Sequence, residues 1–504
     1  MKYLLLFFLC SVIAMPVSLS AQKITYSDFE KDDGRDMNFE IIGKMNGNFL
    51  VYKNFRWKHK ISIFDNDMNT REIAKLDFLP EKTLNVDFIT YPDYFYIIYQ
   101  YQKRNMIHCM GVKMDGNGRK ISEPVELDTT QLTIFSENKI YSTIYSEDKQ
   151  KIMVFKMQKK YDRMHIVTLL YDNHLQLLKK SRMALTFNER RDNFGDMLLD
   201  NEGNLVTSFT TTPPNREYSN ELNLVTKAPL QDSLVFHPVN LDKFLINDVK
   251  LKIDNLNSHY ILNAFFYKKN NGSVEGLFSY TWDRATDKSV VSGQTVFSDS
   301  LRAEARRDGR FSIAFDDFVI RQVIVRKDGG FLLVTEDFSS QTNNNNNLNR
   351  WNSLYSPYSL YPNSYYSYNP YYNSYYRPFT GFNYQNTRYY YSNIVVFSIN
   401  NKGIVDWKKV IHKDQVDDND DNFLSYFTLN EGGEIHFLFN MDRKNQIIAD
   451  QSLLPDGTDK RNATLKSEER GYQFMTKLSK QVSAKELLIP SLYRGNICFA
   501  KVEL

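Results

Sequence analysis

Seven times along this chain of 504 residues the same succession returns: an apolar run, a tight Asp/Asn/Gly turn, a second apolar run, a longer loop, and a third run ending in another such turn. The first turns centre on Gly47, Asp93, Asp148, Gly203, Asn257, Gly329 and Gly432, and most steps between them are 46 to 55 residues. A period of that length marks a repeat architecture, because a unit of a few strands cannot bury both of its faces alone. The second runs, among them NFLVY (48–52), YFYIIYQY (94–101), KIMVF (151–155) and GFLLV (330–334), are continuously apolar. A strand packed on one side alternates; these read as packed on both. The third runs are ISIFDNDMN, HCMGVKMDGNG, IVTLLYDNHLQ, LNLVTKAPLQ, LFSYTWDRATD, IVVFSINNKG and FMTKLSKQ. Their turns favour Asp, Asn and Gly, which tolerate left-handed backbone or bond nearby amides.

Radial stacking covers both faces of every unit and leaves only short edges. The recurrence therefore predicts an all-β chain with a single β-propeller of seven four-stranded blades over 22–504. The tail LIPSLYRGNICFAKVEL reads as two further strands around Gly495, and KITYSDF near the N-terminus offers another. Eight blades, closed by pairing the two termini, is thus the alternative count. An outer-membrane barrel would alternate lipid-facing and lumen-facing residues over about ten positions, which these short continuous runs do not. Tandem sandwiches give no reason for a period near 50.

One place breaks the ruler badly. The step from Gly329 to Gly432 is about twice the norm, and removing Ser339 to Ser392 restores it. That segment begins QTNNNNNLNRW and continues LYSPYSLYPNSYYSYNPYYNSYYRPF; 14 of the chain's 33 tyrosines lie between Tyr355 and Tyr391, with no acidic residue and three arginines, Arg350, Arg377 and Arg388. Such a composition cannot make a conventional core and predicts a mostly irregular excursion between two strands of one blade. Its rings suit stacking on sugars or partner surfaces, so Trp351, Tyr365, Tyr366, Tyr371, Tyr372, Tyr375, Tyr376 and Arg377 are the candidate binding residues. Met441 to Gly471 reads as a second long loop, charged but balanced.

The N-terminus has the three-part layout of an export signal: Lys2, the apolar stretch Leu4 to Ala14, and Ser18-Leu19-Ser20-Ala21 before Gln22. The stretch is shorter than the ~20 residues of a spanning helix. Cleavage after Ala21 is expected, placing the product in the periplasm, at the cell surface or outside, with no transmembrane segment in the mature chain. Cys10 lies too early for lipid attachment, and the remaining Cys109 and Cys498 sit in apolar runs, as two buried thiols rather than a disulfide framework.

Chemistry-bearing patterns are sparse. Lys+Arg 63 against Asp+Glu 60 gives no reason to expect a nucleic-acid partner. The eight histidines have no metal-ligand spacing, and no phosphate-cradling loop or nucleophile elbow occurs. Asp65, Asp67 and Asn69, and the run Asp417 to Asn422, alternate oxygens as calcium loops do but lack Gly at the sixth position; Thr428, not Glu, is twelfth from Asp417. No cofactor, metal or catalytic residue is therefore predicted. Loops joining second to third strands, such as KNFRWKHK, QKRNMI, KMQKKYDRM and KKNNGSVE, are basic, while the connections between units that reach the same face are acidic.

The segments Ile394-Val395-Val396-Phe397, Trp407-Lys408-Lys409-Val410-Ile411-His412-Lys413-Asp414-Gln415 and Phe437-Leu438-Phe439-Asn440 resemble a pattern in uncharacterised exported propeller-like proteins of Bacteroidota. The resemblance implies compartment and fold, with the tryptophan and lysine in structural roles, and no active site. The sequence thus leads to a non-enzymatic binding or scaffold propeller that meets a glycan or protein partner through the loop face bearing the insertion. The alternative is a carbohydrate-active hydrolase or lyase with acidic residues gathered at the central channel.

Overall fold

In the computed structural model the described residues are 23–31, 33–34, 37–132, 139–270, 272–306, 314–342, 387–418, 421–442, 444–467 and 470–503. They form eight antiparallel sheets, each built on a path of four neighbouring strands, here A to D from the inner edge outward; four sheets carry a fifth, short strand off that path, and all but the eighth follow sequence order. The blades span 38–75, 83–131, 142–186, 192–239, 245–296, 318–418, 426–466 and, for the eighth, 472–503 with 23–26. The chain is an eight-bladed β-propeller, the second of the two counts its sequence allowed. Strand Lys23–Tyr26 is the outer strand of blade 8, pairing Lys23↔Glu503 through Tyr26↔Ala500, so the termini close the ring.

The continuous apolar runs are explained residue by residue. On strand Asn48–Phe55, Phe49 and Val51 face blade 8, where Ile497 and Phe499 meet them; Leu50 and Tyr52 face Phe95 and Ile97 of blade 2. Both sides of a B strand are core. Each of the eight interfaces between neighbouring blades has its own cluster of buried apolar side chains. Burying one such side chain contributes about 1.5–3 kcal/mol, so ring closure is driven by the sum over eight seams. The D strands, by contrast, are largely exposed, as in Thr70–Lys75 and Lys288–Val296.

A strands of neighbouring blades touch one another, which puts them around the axis. A–B and C–D turns then share one face, and B–C turns share the other with the connections between blades. Gly47, Gly203, Gly329 and Gly432 all occupy A–B turns, each with positive φ. The equivalent turns fall on one face, as the period requires.

The sequence reading differs from the structure in blade 7. Its C strand is Ile447–Leu453, inside the segment read as a long loop, followed by short outer strands Asp459–Arg461 and Leu465–Lys466. FMTKLSKQ is not its third strand: Tyr472–Phe474 and Lys480–Gln481 form the inner edge of blade 8. The cause is buried polarity. Asp450, 1% exposed, pairs with His436 Nδ1 at 2.9 Å, and Ser452 donates to Glu434, so this strand carries hydrophilic residues that have partners inside the fold.

Candidate functional site

The tyrosine-rich segment leaves and rejoins the ring through a built stalk. Strands B and C of blade 6, Phe331–Thr342 and Thr387–Ile399, run on past the blade's first strand, pairing Phe338↔Tyr391 through Thr342↔Thr387. A short strand, Gln415–Asp418, pairs along the other side of Arg388 to Tyr391. The ends of the predicted excursion are therefore ribbon, and its last described pair, Thr342↔Thr387, lies on the B–C face. Trp351, Tyr365, Tyr366, Tyr371, Tyr372, Tyr375, Tyr376 and Arg377 lie outside the described residues.

The ribbon's root is a buried charge cluster. Glu336, fully buried, accepts from Arg321 Nε at 2.8 Å, from Lys413 Nζ at 2.7 Å and from Ser425 Oγ at 2.8 Å. Burial pushes the Lys413 ammonium below the usual lysine range, and the Glu336 carboxylate opposes that shift. Arg321 lies over the rings of Phe338 and Tyr391, 5.4 Å from each centroid. The Tyr391 hydroxyl donates to Asp421 at 2.9 Å, and Asp421 pairs with Lys477 of blade 8 at 3.0 Å. Removing one member of such a network leaves a buried charge uncompensated. Farther out, Arg388 grips Asp418 with two bonds, 2.6 and 3.1 Å, and this grip raises its already high pKa. Of the three arginines in the insertion, Arg388 thus belongs to the stalk.

The axial channel is the other candidate. Polar side chains on or beside the inner strands, Lys139, Asp196, Lys250, Gln322 and Lys480 among them, are intermediate in exposure. Two carboxyl groups from adjacent inner strands, Glu40 and Asp87, lie near each other. Burial raises both; Glu40 reaches about 8, with Lys480 opposing and Asp87 adding to the shift. Lys139 is brought down to about 8 by burial, against the pull of Asp87. Lys480 Nζ donates to the Ile41 and Ile42 carbonyls at 2.9 and 3.0 Å, and Lys149 Nζ to the Thr90 carbonyl at 2.6 Å. Perturbed groups gathered in a cleft mark a functional candidate, although inter-blade ion pairs produce the same signature.

The remaining motifs have local explanations. Asp65 Oδ1 accepts the amides of Asp67 and Asn69, each at 2.9 Å, and Asp115 and Asp172 hold the matching turns of blades 2 and 3 in the same way. Asp421 serves Tyr391, and Asp418 serves Arg388. Among the described residues no group of His, Cys, Asp and Glu is arranged to hold a metal. Cys109 and Cys498 are buried free thiols in blades 2 and 8. Trp407 donates to the Pro455 carbonyl at 3.0 Å and lays its ring on Gly457, where an added Cβ would come within 2.6 Å; this clasps blade 7 to blade 6. Lys413, six positions on, pairs with the buried Glu336 of the same blade.

Sequence reasoning missed Glu336 and Lys413 because the groups that pair with them are distant in the chain. GFLLVTEDF reads as an apolar strand, and its partners come from 15 to 89 positions away. A signal was nonetheless present, since a carboxylate in a strand covered on both faces needs a cation.

No family model matches the chain, and no curated protein does. Among solved structures, prolyl oligopeptidase B from Galerina marginata is similar at TM-score 0.41 and 9% identity, over 91% of this chain and 55% of its own. Polysaccharide lyase Uly1 is similar at TM-score 0.38 and 11% identity, over 82% and 89%; a eukaryotic initiation factor at 0.39 and 10%, over 94% and 92%. The chain spans about 55% of the length of the prolyl oligopeptidase it matches. Likeness at this level carries no argument about chemistry, and the fold rests on the sheets described above.

Proposed function

We propose that the chain is an exported binding or scaffold propeller of the cell envelope that engages a glycan or protein partner through its B–C face, with residues 343–386 as the contacting element. The observation that carries this is the stalk: a buried cluster around Glu336 fixes a ribbon whose tip, Thr342↔Thr387, holds both ends of the tyrosine-rich segment. A chain expanded without use has no need of a root with this many buried charges. The leader read in residues 1–21 supports the compartment. Replacing 343–386 by a two-residue turn tests the reading. Retention on an envelope glycan array should be lost while the thermal transition stays in place; unchanged retention overturns it.

Glu40 and Asp87 favour a second reading, a glycan hydrolase or lyase acting in the channel. A carboxylic acid held near 8 could serve as a proton donor at neutral pH. Glycan cleavage by the wild type that is abolished in Glu40→Gln would move the function from the face to the channel.

A further inference from the structure

We propose that the B–C tips of blades 8, 1, 2 and 3 form a second binding surface, for an anionic polysaccharide. These four blades are consecutive around the ring, and their tips lie on one face. All four connections are two-residue turns, since the flanking pairs are Tyr493↔Asn496, Phe55↔Lys58, Lys103↔Met106 and Lys160↔Arg163. Turns this tight demand left-handed backbone, which Gly, Asn and Asp adopt at least cost. Blades 4 and 7 meet left-handed positions in their B–C connections with Asn215 and Asn445, at φ 59° and 56°. The four consecutive blades instead place Arg494, Arg56, Trp57, Arg104 and Tyr161 there, at φ between 50° and 67°.

Strain of this kind persists where something else compensates it. Elsewhere in the ring the compensation is visible: Met68, at φ 63°, is fully buried, and Leu175, at φ 57°, packs in the seam between blades 2 and 3. At the tips no such burial compensates: the contacts inside the fold are the Gln102 Nε2 bond to the Arg104 carbonyl, 2.9 Å, and the placing of Arg56 and Arg494 over the rings of Phe55 and Tyr493. Trp57 is 53% exposed and Tyr161 84%. Arg56, Arg104 and Arg494 have no carboxylate partner among the described residues, while the nearby acids Glu30 and Glu189 already pair with Lys60 and Lys159. Asp162 is the one carboxylate at the tips themselves.

The combination selects the ligand class. Each tip sets a cation beside a flat ring or at an open turn: Arg56 stands 5.0 Å from the Phe55 centroid, Lys160 5.9 Å from Tyr161 and Arg494 5.1 Å from Tyr493. A guanidinium binds a carboxylate or sulfate with two parallel bonds, and an exposed ring stacks on the apolar face of a sugar. Alternation of the two along an arc of four blades fits a chain that alternates anionic groups and pyranose faces. An acidic polypeptide would use the cations and leave the rings unused.

The test uses the full exported chain with its tyrosine-rich segment intact, so its outcome is separate from that of the stalk. Immobilised polygalacturonate is the probe, with dextran and poly-glutamate as controls. The wild type should bind polygalacturonate more tightly than poly-glutamate and ignore dextran. Combining Arg56→Asn, Trp57→Gly, Arg104→Asn, Tyr161→Asn and Arg494→Asn should weaken that binding by roughly tenfold or more, with the melting temperature unchanged or higher. A second variant, Trp57→Gly with Tyr161→Asn, keeps every arginine and should weaken binding to polygalacturonate but not to poly-glutamate. Absence of wild-type binding, equal binding to poly-glutamate, or variants that bind as the wild type does would each overturn the proposal.

Discussion

The two faces of the ring are made by the same thirty-odd strand ends, yet they solve the turn problem differently. On the A–B and C–D face Gly47, Gly203, Gly329 and Gly432 take positive φ at no steric cost, Asp65, Asp115 and Asp172 accept the amides two and four residues on, and where Met68 and Leu175 take left-handed positions their side chains are buried or packed in a seam. On the B–C face, several of the same tight geometries carry Arg, Trp and Tyr, and one connection grows into a rooted ribbon. One face is spent on holding blades in shape, and the other presents side chains to what lies outside. The difference is a position-by-position choice of residue, because strand pairing and blade seams are shared by both faces.

The largest effect expected from breaking this contrast is at the ribbon's root. Glu336→Ala should cost about 3–5 kcal/mol in chemical unfolding, since Arg321 and Lys413 would be left as buried cations without their shared carboxylate. A loss under about 1 kcal/mol would mean that the root is hydrated and does not anchor the stalk.

The channel joining the faces should give the next effect, as a pH dependence. Glu40 has its folded pKa raised from 4.5 to about 8, so the folded state holds a proton that the unfolded state has released. Its contribution is fully present below about 4.5 and is lost as pH rises through 8. Unfolding midpoints of the wild type should therefore fall between pH 5 and 9, and Glu40→Gln should flatten that slope while leaving the pH 5 value alone. An unchanged slope would place the titration elsewhere.

Smaller effects sharpen the comparison of the turns themselves. Asp172→Ala removes the acceptor for the His174 and Gln176 amides and should cost about 1 kcal/mol by thermal unfolding. Trp57→Gly, in a two-residue turn on the opposite face, should leave stability within about 1 kcal/mol of the wild type or raise it, because relief of left-handed strain offsets the entropy of glycine. A Trp57→Gly loss as large as that of Asp172→Ala would erase the distinction between a structural face and a presenting face.

How much of this was legible in the sequence follows from where each signal is written. The seams were legible because Phe49 to Tyr52 are apolar on successive residues, which a strand does only when covered on both sides. The closing strand Lys23–Tyr26 and the turn at Gly495 were visible as a half unit at each end. Blade 7 was obscured because Asp450 and Ser452 are buried with partners, and a partner in space leaves no mark on hydropathy. For the same reason the pairing of Glu336 with Arg321 and Lys413 was not legible. The basic character of the B–C loops was readable, whereas its concentration on four consecutive tips needed the backbone: φ at Arg56, Arg104, Tyr161 and Arg494 is not a property of composition.

The most direct test of a partner-facing B–C surface is amine-reactive footprinting of the protein in intact cells against the purified chain. Lys58, Lys103 and Lys160 are exposed at B–C tips, and Lys288 and Lys402 are exposed at C–D turns of the opposite face. The account predicts that the first three are protected in cells while the last two label as in the purified protein. Protection of Lys288 and Lys402 with free labelling of Lys58, Lys103 and Lys160 would contradict it.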